Sequence, residues 1–193
     1  MAWLTPILWP FLRVLAVFTA APIFSSRVFP VRARIALAFL IAFAAQPTLQ
    51  GQPLIGLDGP QALGAVIQQV GIGLAIGFTV RLILAAVELA GEVVGFQMGL
   101  NFAAFFDPAA NAQTSAVARF FGQMAALLFV VLNGHLLVLM AVIRSFEVFP
   151  IDQSFLQAMQ RLRLHELGAE LFATGLWIAL PMVGMLMFVN LAL

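Results

Sequence analysis

Three charged side chains stand in an otherwise apolar run from Ala62 to Phe106: Arg81, Glu88 and Glu92. Carboxylates four residues apart on a helix share a face, a spacing that suits a proton or ion relay across a membrane. The same spacing also suits close packing, with Arg81 neutralised by carboxylates of its own or a neighbouring helix. A third use is a surface against sister subunits around a pore. Other chemistry is sparse. There is no cysteine, so disulfides, thiolate metal sites and cysteine nucleophiles are excluded. His135 and His165 have no metal-ligand spacing, and His135 reads as a buried, hydrogen-bonded histidine. No nucleophile elbow, phosphate loop or carboxylate–histidine constellation is present. The reading is a non-enzymatic chain with no catalytic residue, no metal and no cofactor.

The helical face of the run says where its charges must point. At 100° per residue, Gly73, Gly77, Arg81, Leu84, Glu88, Gly91, Glu92, Gly95, Gly99, Phe102, Ala103 and Phe106 fall within about 60° of one direction. The opposite face is mostly Leu, Ile, Val and Phe. A charge facing lipid at the membrane centre costs at least about 2.5–3.5 kcal/mol. Glycines at four-residue spacing let another backbone approach closely. The stripe is therefore expected to pack against protein or line a water-filled space.

The elements that must position it follow from composition. The chain has 193 residues, 63% of them hydrophobic and 9% charged, where soluble domains carry about 25% charge. The apolar residues come in long blocks, which reads as an all-α, polytopic helical membrane protein of one domain spanning 1–193. A net charge of +1 gives no case for nucleic acid. Expected segments run from Trp3 to Phe24, Ile35 to Ala45, Ala62 to Phe106, Val117 to Ile143 and Leu167 to Leu193. A short amphipathic helix is expected over Phe155 to Leu164. The second segment is half a bilayer long. The third, as one helix of roughly 67 Å, is twice the thickness of a bilayer core. Asp107 to Ser115 is a polar loop, with Thr114 or Ser115 placed to cap the next helix. Asn133-Gly134-His135 interrupts the fourth segment, and Pro181 the fifth. The basic linkers Arg27–Arg34 and Arg144–Arg163 give no consistent topology by the positive-inside rule, which presumes a helix bundle lying in lipid.

Three groups of residues, in order, carry a family resemblance. The first is Arg13, Ala21-Pro22-Ile23-Phe24-Ser25, Pro30-Val31-Arg32-Ala33-Arg34 and Leu37-Ala38. The second is Ala90-Gly91-Glu92-Val93-Val94-Gly95-Phe96-Gln97-Met98-Gly99-Leu100, then Phe102-Ala103 and Asp107-Pro108. The third runs from Phe129 through Asn133-Gly134-His135-Leu136 to Ser145-Phe146 and Phe149-Pro150-Ile151. Together they resemble the FliR family of the bacterial type III secretion export apparatus, the flagellar branch more than its virulence-system relatives. Family members continue beyond the point matching Leu193 with a further hairpin similar to FliQ.

The resemblance implies a FliP-like fold and a place in a helical pore assembly at the inner membrane, within the flagellar basal body and largely above the membrane plane. It implies FliP-like and FliQ-like subunits as partners, FlhB-like and FlhA-like export components, and unfolded export substrates. It also implies that the loop after the glycine-rich helix, within residues 102–118, projects into the lumen as a plug. Its expected pore residues are Phe102, Phe105, Phe106, Asp107, Pro108, Asn111 and Gln113. The stripe of Gly73, Gly77, Arg81, Glu88, Gly91, Glu92, Gly95 and Gly99 is expected to form helix packing or subunit contacts. The rival readings are a proton-coupled transporter using Glu88 and Glu92, and the equivalent subunit of a virulence secretion system.

Overall fold

The computed structural model describes residues 5–26, 29–49, 56, 61–99, 115–151 and 164–192. Among them are seven α-helices and no strand: α1 (Thr5–Ala20), α2 (Pro22–Ser25), α3 (Val31–Ala44), α4 (Gln61–Gln97), α5 (Ala116–Val131), α6 (Gly134–Val148) and α7 (Leu164–Ala192). A short 3-10 turn covers Gln46–Leu49. The all-α expectation holds. The amphipathic helix expected over Phe155 to Leu164 lies almost wholly outside the described residues.

Local chemistry explains most of the boundaries. Ala21 is extended and Pro22 opens α2, where its missing N–H is no loss; the single first segment is thus two helices. Pro30 precedes α3, which is a little longer than its apolar core suggested. The long run is one helix, α4, of 37 residues, about 55 Å at 1.5 Å per residue. It stops at Gln97: Met98 N–H reaches Val94 O, and Gly99 takes the left-handed conformation at φ 72° that glycine adopts without a Cβ penalty. Gly99 therefore stands past the helix end and not on its stripe.

The fourth segment is also divided. α5 ends at Leu132, and Asn133 sits at φ 57°, ψ 28°, a left-handed position that asparagine tolerates better than other side-chain-bearing residues. Asn133 O then accepts from Leu136 and Leu137 N–H to start α6. By length and composition, α4 and α7 are each long and apolar enough to cross a membrane; α5 and α6 taken together would make a third, broken span.

The chain resolves into two compact units. Unit one, Met1–Arg81 with Asn133–Arg163, holds α1, α2, α3, the first part of α4, and α6. One core cluster there joins Trp9, Ala65 and Ile151, flanked by Leu12, Ala62 and Val66. Phe18 stacks on Phe24, ring centroids 4.5 Å apart. Unit two, Leu82–Leu132 with Leu164–Leu193, holds the rest of α4, α5 and α7. Its core is Ala90, Val94 and Ala179, with Val93, Val117, Phe121, Val183 and Leu186 packed around them. Most of α7 is exposed: Trp177, Phe188 and Leu191 show 74–86% of their surface.

Candidate functional site

Three glycines of α4, Gly73, Gly77 and Gly91, make close helix contacts inside each unit. In unit one, Gly73 and Gly77 lie against α1. A Cβ on Gly73 would stand 2.7 Å from the Ala16 Cβ and collide with the Arg13 carbonyl oxygen; one on Gly77 would stand 2.9 Å from Val17 O. In unit two, Gly91 meets α5, where an added Cβ would lie 2.7 Å from Ala118 Cα. Gly175 of α7 gives the same room to Ala86 and Leu89 of α4. Gly95 is buried as well. Gly73, Gly77 and Gly91 thus sit in close helix contacts.

The charges of the stripe behave differently. Arg81 and Glu88 are exposed, and among the described residues no carboxylate pairs with Arg81. Glu88 lies across Gly122 of α5, its Oε1 2.6 Å from where a Cβ would stand. With Arg119, Gly122, Gln123 and Ala126 it lines an open cavity of ≈ 260 Å³. This polar cleft sits on a helix pair whose neighbouring exposed side chains include Ile83, Phe120, Met124 and Leu127.

Glu92 has a definite task. Its Oε1 accepts from the Ser115 backbone N–H at 3.0 Å, while Ser115 Oγ accepts from Ala118 N–H at 3.1 Å. Two of the free donors at the N-terminus of α5 are satisfied in this way, and the carboxylate stands at the positive end of the helix dipole. Ser115 is thus the cap, one of the two candidates the sequence offered. The clamp also fixes geometry. Ser115, at the start of α5, is held beside Glu92 in the C-terminal part of α4. The expected pore residues Phe102, Phe105, Phe106, Asp107, Pro108, Asn111 and Gln113 lie outside the described residues.

One polar centre was not foreseen. Arg13, fully buried in α1, donates from Nε to Gln69 Oε1 at 2.8 Å, from Nη1 to Ser145 Oγ at 3.0 Å and from Nη2 to Phe149 O at 2.8 Å. Its guanidinium carbon lies 3.9 Å from the centroid of the Phe146 ring. Every acceptor is neutral. The charge is offset by the carbonyl end of α6, where the helix dipole is negative, and by the aromatic face. Gln68 Nε2 donates to Pro150 O at 3.1 Å, so α1 and α4 together hold the turn at Phe149-Pro150. Arg13 and the Gln68-Gln69 pair stand out as polar residues in apolar stretches, the one sequence signal that could have marked them.

His135 departs from its reading. It is half-buried, and its Nδ1 is shut off from solvent without a hydrogen-bond partner.

Comparison with known proteins agrees over the whole length of the chain. The model of the family "Bacterial export proteins, family 1" matches residues 4–193. The chain is 40% identical to the flagellar biosynthetic protein FliR of Escherichia coli K12 over 193 residues, 100% of this chain and 74% of that relative. The protein of the same name from Pectobacterium carotovorum is 38% identical, with 99% of this chain and 73% of the relative covered. That of Bacillus subtilis is 33% identical over 145 residues, 75% of this chain and 56% of the relative. This chain belongs to the bacterial export proteins, family 1.

Proposed function

We propose that this chain is a non-enzymatic channel subunit of the flagellar type III protein export gate, in which it completes a pore with FliP-like and FliQ-like subunits and helps close it with the segment between α4 and α5. The observation that carries the proposal is similarity to flagellar FliR across the full chain. Three physical features support it. α4 exceeds a bilayer core in length, which suits a helix enclosed by protein for part of its course. Much of the apolar surface of α5, α6 and α7 is exposed and needs company. The Glu92–Ser115 contact holds the start of α5 against the C-terminal part of α4, which suits a plug carried between the two helices.

On this reading Phe102, Phe105 and Phe106 occlude the lumen, Asp107-Pro108 turn the chain, and Asn111 and Gln113 stay polar toward the passage. FlhB-like and FlhA-like components and unfolded substrates complete the working assembly, at the inner membrane and with much of the gate on its periplasmic side.

Deleting Asp107–Thr114 is expected to leave the assembled gate intact and raise its ion conductance in planar bilayers. Unchanged conductance in a properly assembled complex would remove the plug from the proposal.

A further inference from the structure

Unit two carries a carboxylate that the chain itself leaves unmatched. Glu88 of α4 is exposed and lies across Gly122 of α5, its Oε1 2.6 Å from where a Cβ would stand. Among the described residues no hydrogen bond or ion pair reaches it. Arg119 borders the same cleft but already has a partner of its own. The missing side chain of Gly122 and the short one of Ala126 leave the cleft open, at ≈ 260 Å³, several times the roughly 30 Å³ share of one water.

The surroundings are apolar. On α5, Phe120, Met124, Leu127 and Val131 follow at i, i+4, i+7 and i+11 and are 40–74% exposed. That spacing makes one continuous seam along the helix. Arg119, Gln123 and Ala126 repeat it one residue earlier, so the cleft and the seam run side by side. An apolar seam with anchors at helical spacing is the kind of surface that receives an amphipathic helix. Glu88 decides among the environments that could meet it. Hydrocarbon would leave the carboxylate facing lipid, which is costly. Water would meet the whole exposed seam, an arrangement that soluble surfaces avoid. A protein helix with an apolar stripe and one cation covers both.

We infer that the α4–α5 face of unit two is a docking surface for a helix of a neighbouring subunit, whose arginine or lysine enters the cleft and pairs with the Glu88 carboxylate. Charge complementarity identifies the partner by its chemistry. Glu88 repels acidic headgroups and acidic side chains, and accepts a guanidinium or an ammonium group. The inference rests on the chain's being one subunit of an assembly, and not on the plug.

The test is read on the purified multi-subunit assembly. Gln123→Arg, at an exposed position, places a cation of the chain's own beside Glu88. It should lower the amount of neighbouring subunit retained through detergent exchange by about ten-fold. Gln123→Glu adds a second carboxylate and should retain at least as much as wild type. Glu88→Gln keeps an acceptor and loses only the charge, so it should fall between. Equal retention in Gln123→Arg and Gln123→Glu overturns the inference, because charge then has no say. A benzophenone amino acid at position 123 identifies the neighbour. The expected crosslink joins another subunit within one helical turn of an arginine or lysine. A crosslinked stretch without a cation, an adduct with lipid, or no adduct at all overturns the inference while leaving the assembly standing. A chain that purifies with no other subunit overturns the subunit reading itself, and the inference with it.

Discussion

In unit one a guanidinium lies fully buried among neutral oxygens, whereas in unit two Glu88 stays at the surface and Glu92 caps a helix. Both units close their helices over glycine, yet only unit one adds a polar knot beneath. Arg13 joins three helices because each of its donating nitrogens has its own acceptor on a different element or residue. The Glu92 clamp joins two neighbouring helices and serves only the start of α5. The difference separates two uses of polarity in an apolar chain. A network in which every nitrogen finds an acceptor specifies one internal arrangement and is costly to break. A cap at a helix end sets where a loop begins and contributes less.

The sharpest way to break the contrast is to remove the knot. Arg13→Ala leaves Gln69 Oε1, Ser145 Oγ and Phe149 O without their donor in a dry interior, at about 1–3 kcal/mol for each buried group left unsatisfied, less than additively. A loss of about 3–5 kcal/mol is expected, seen as loss of protease-resistant chain and of co-purifying subunits. Arg13→Lys keeps the charge but cannot reach three separate acceptors, so it should recover only a minor part.

Glycine substitutions come next and compare like with like. Gly73→Ala pushes a methyl group into the backbone of α1 and should cost about 1–3 kcal/mol. Gly122→Ala meets only the movable end of Glu88, and should stay within about 0.5 kcal/mol. Thermal unfolding of the two variants in the same detergent checks the order; equal effects would mean that the α1–α4 contact is looser than drawn.

Smaller still is the clamp. Ser115→Ala should cost about 1 kcal/mol, within the range for an N-cap serine, and should raise amide exchange over Ala116–Ala118 more than elsewhere. Smallest is Glu88→Gln, expected within about 0.5 kcal/mol because the group is exposed and the amide keeps its shape. Export should persist in Glu88→Gln cells, scored by swimming motility. Lost export with an intact assembly would favour the proton relay.

Much of this was legible because it is local or periodic. The length of α4 follows from an apolar run without proline, the close contacts from glycines at four-residue spacing, and the cap from serine before an apolar segment. The end of α4 was placed too late because Leu100 to Phe106 stay apolar but for Asn101, while the stop depends on one backbone angle at Gly99. Likewise Asn133-Gly134 was visible as an interruption, but its left-handed turn, which makes two helices of one segment, is a conformation and not a composition. Arg81 and Glu88 share a stripe with glycine, which left packing and a water-filled space both open for them. The stripe is wider than either contact, and α1 and α5 cover the glycines without covering the charges. Arg13 was beyond reach for another reason. Its partners lie 56, 132 and 136 residues away, a separation that no periodicity encodes.

That separation sets a timetable for biosynthesis. At about 5–20 residues per second, Phe149 leaves the ribosome roughly 7–27 s after Arg13. Through that interval the cation of α1 has at most one of its three acceptors, Gln69, which follows 56 residues behind it. Its final seat is completed only when α6 arrives. The first helix therefore takes its final place only with residues more than a hundred positions later.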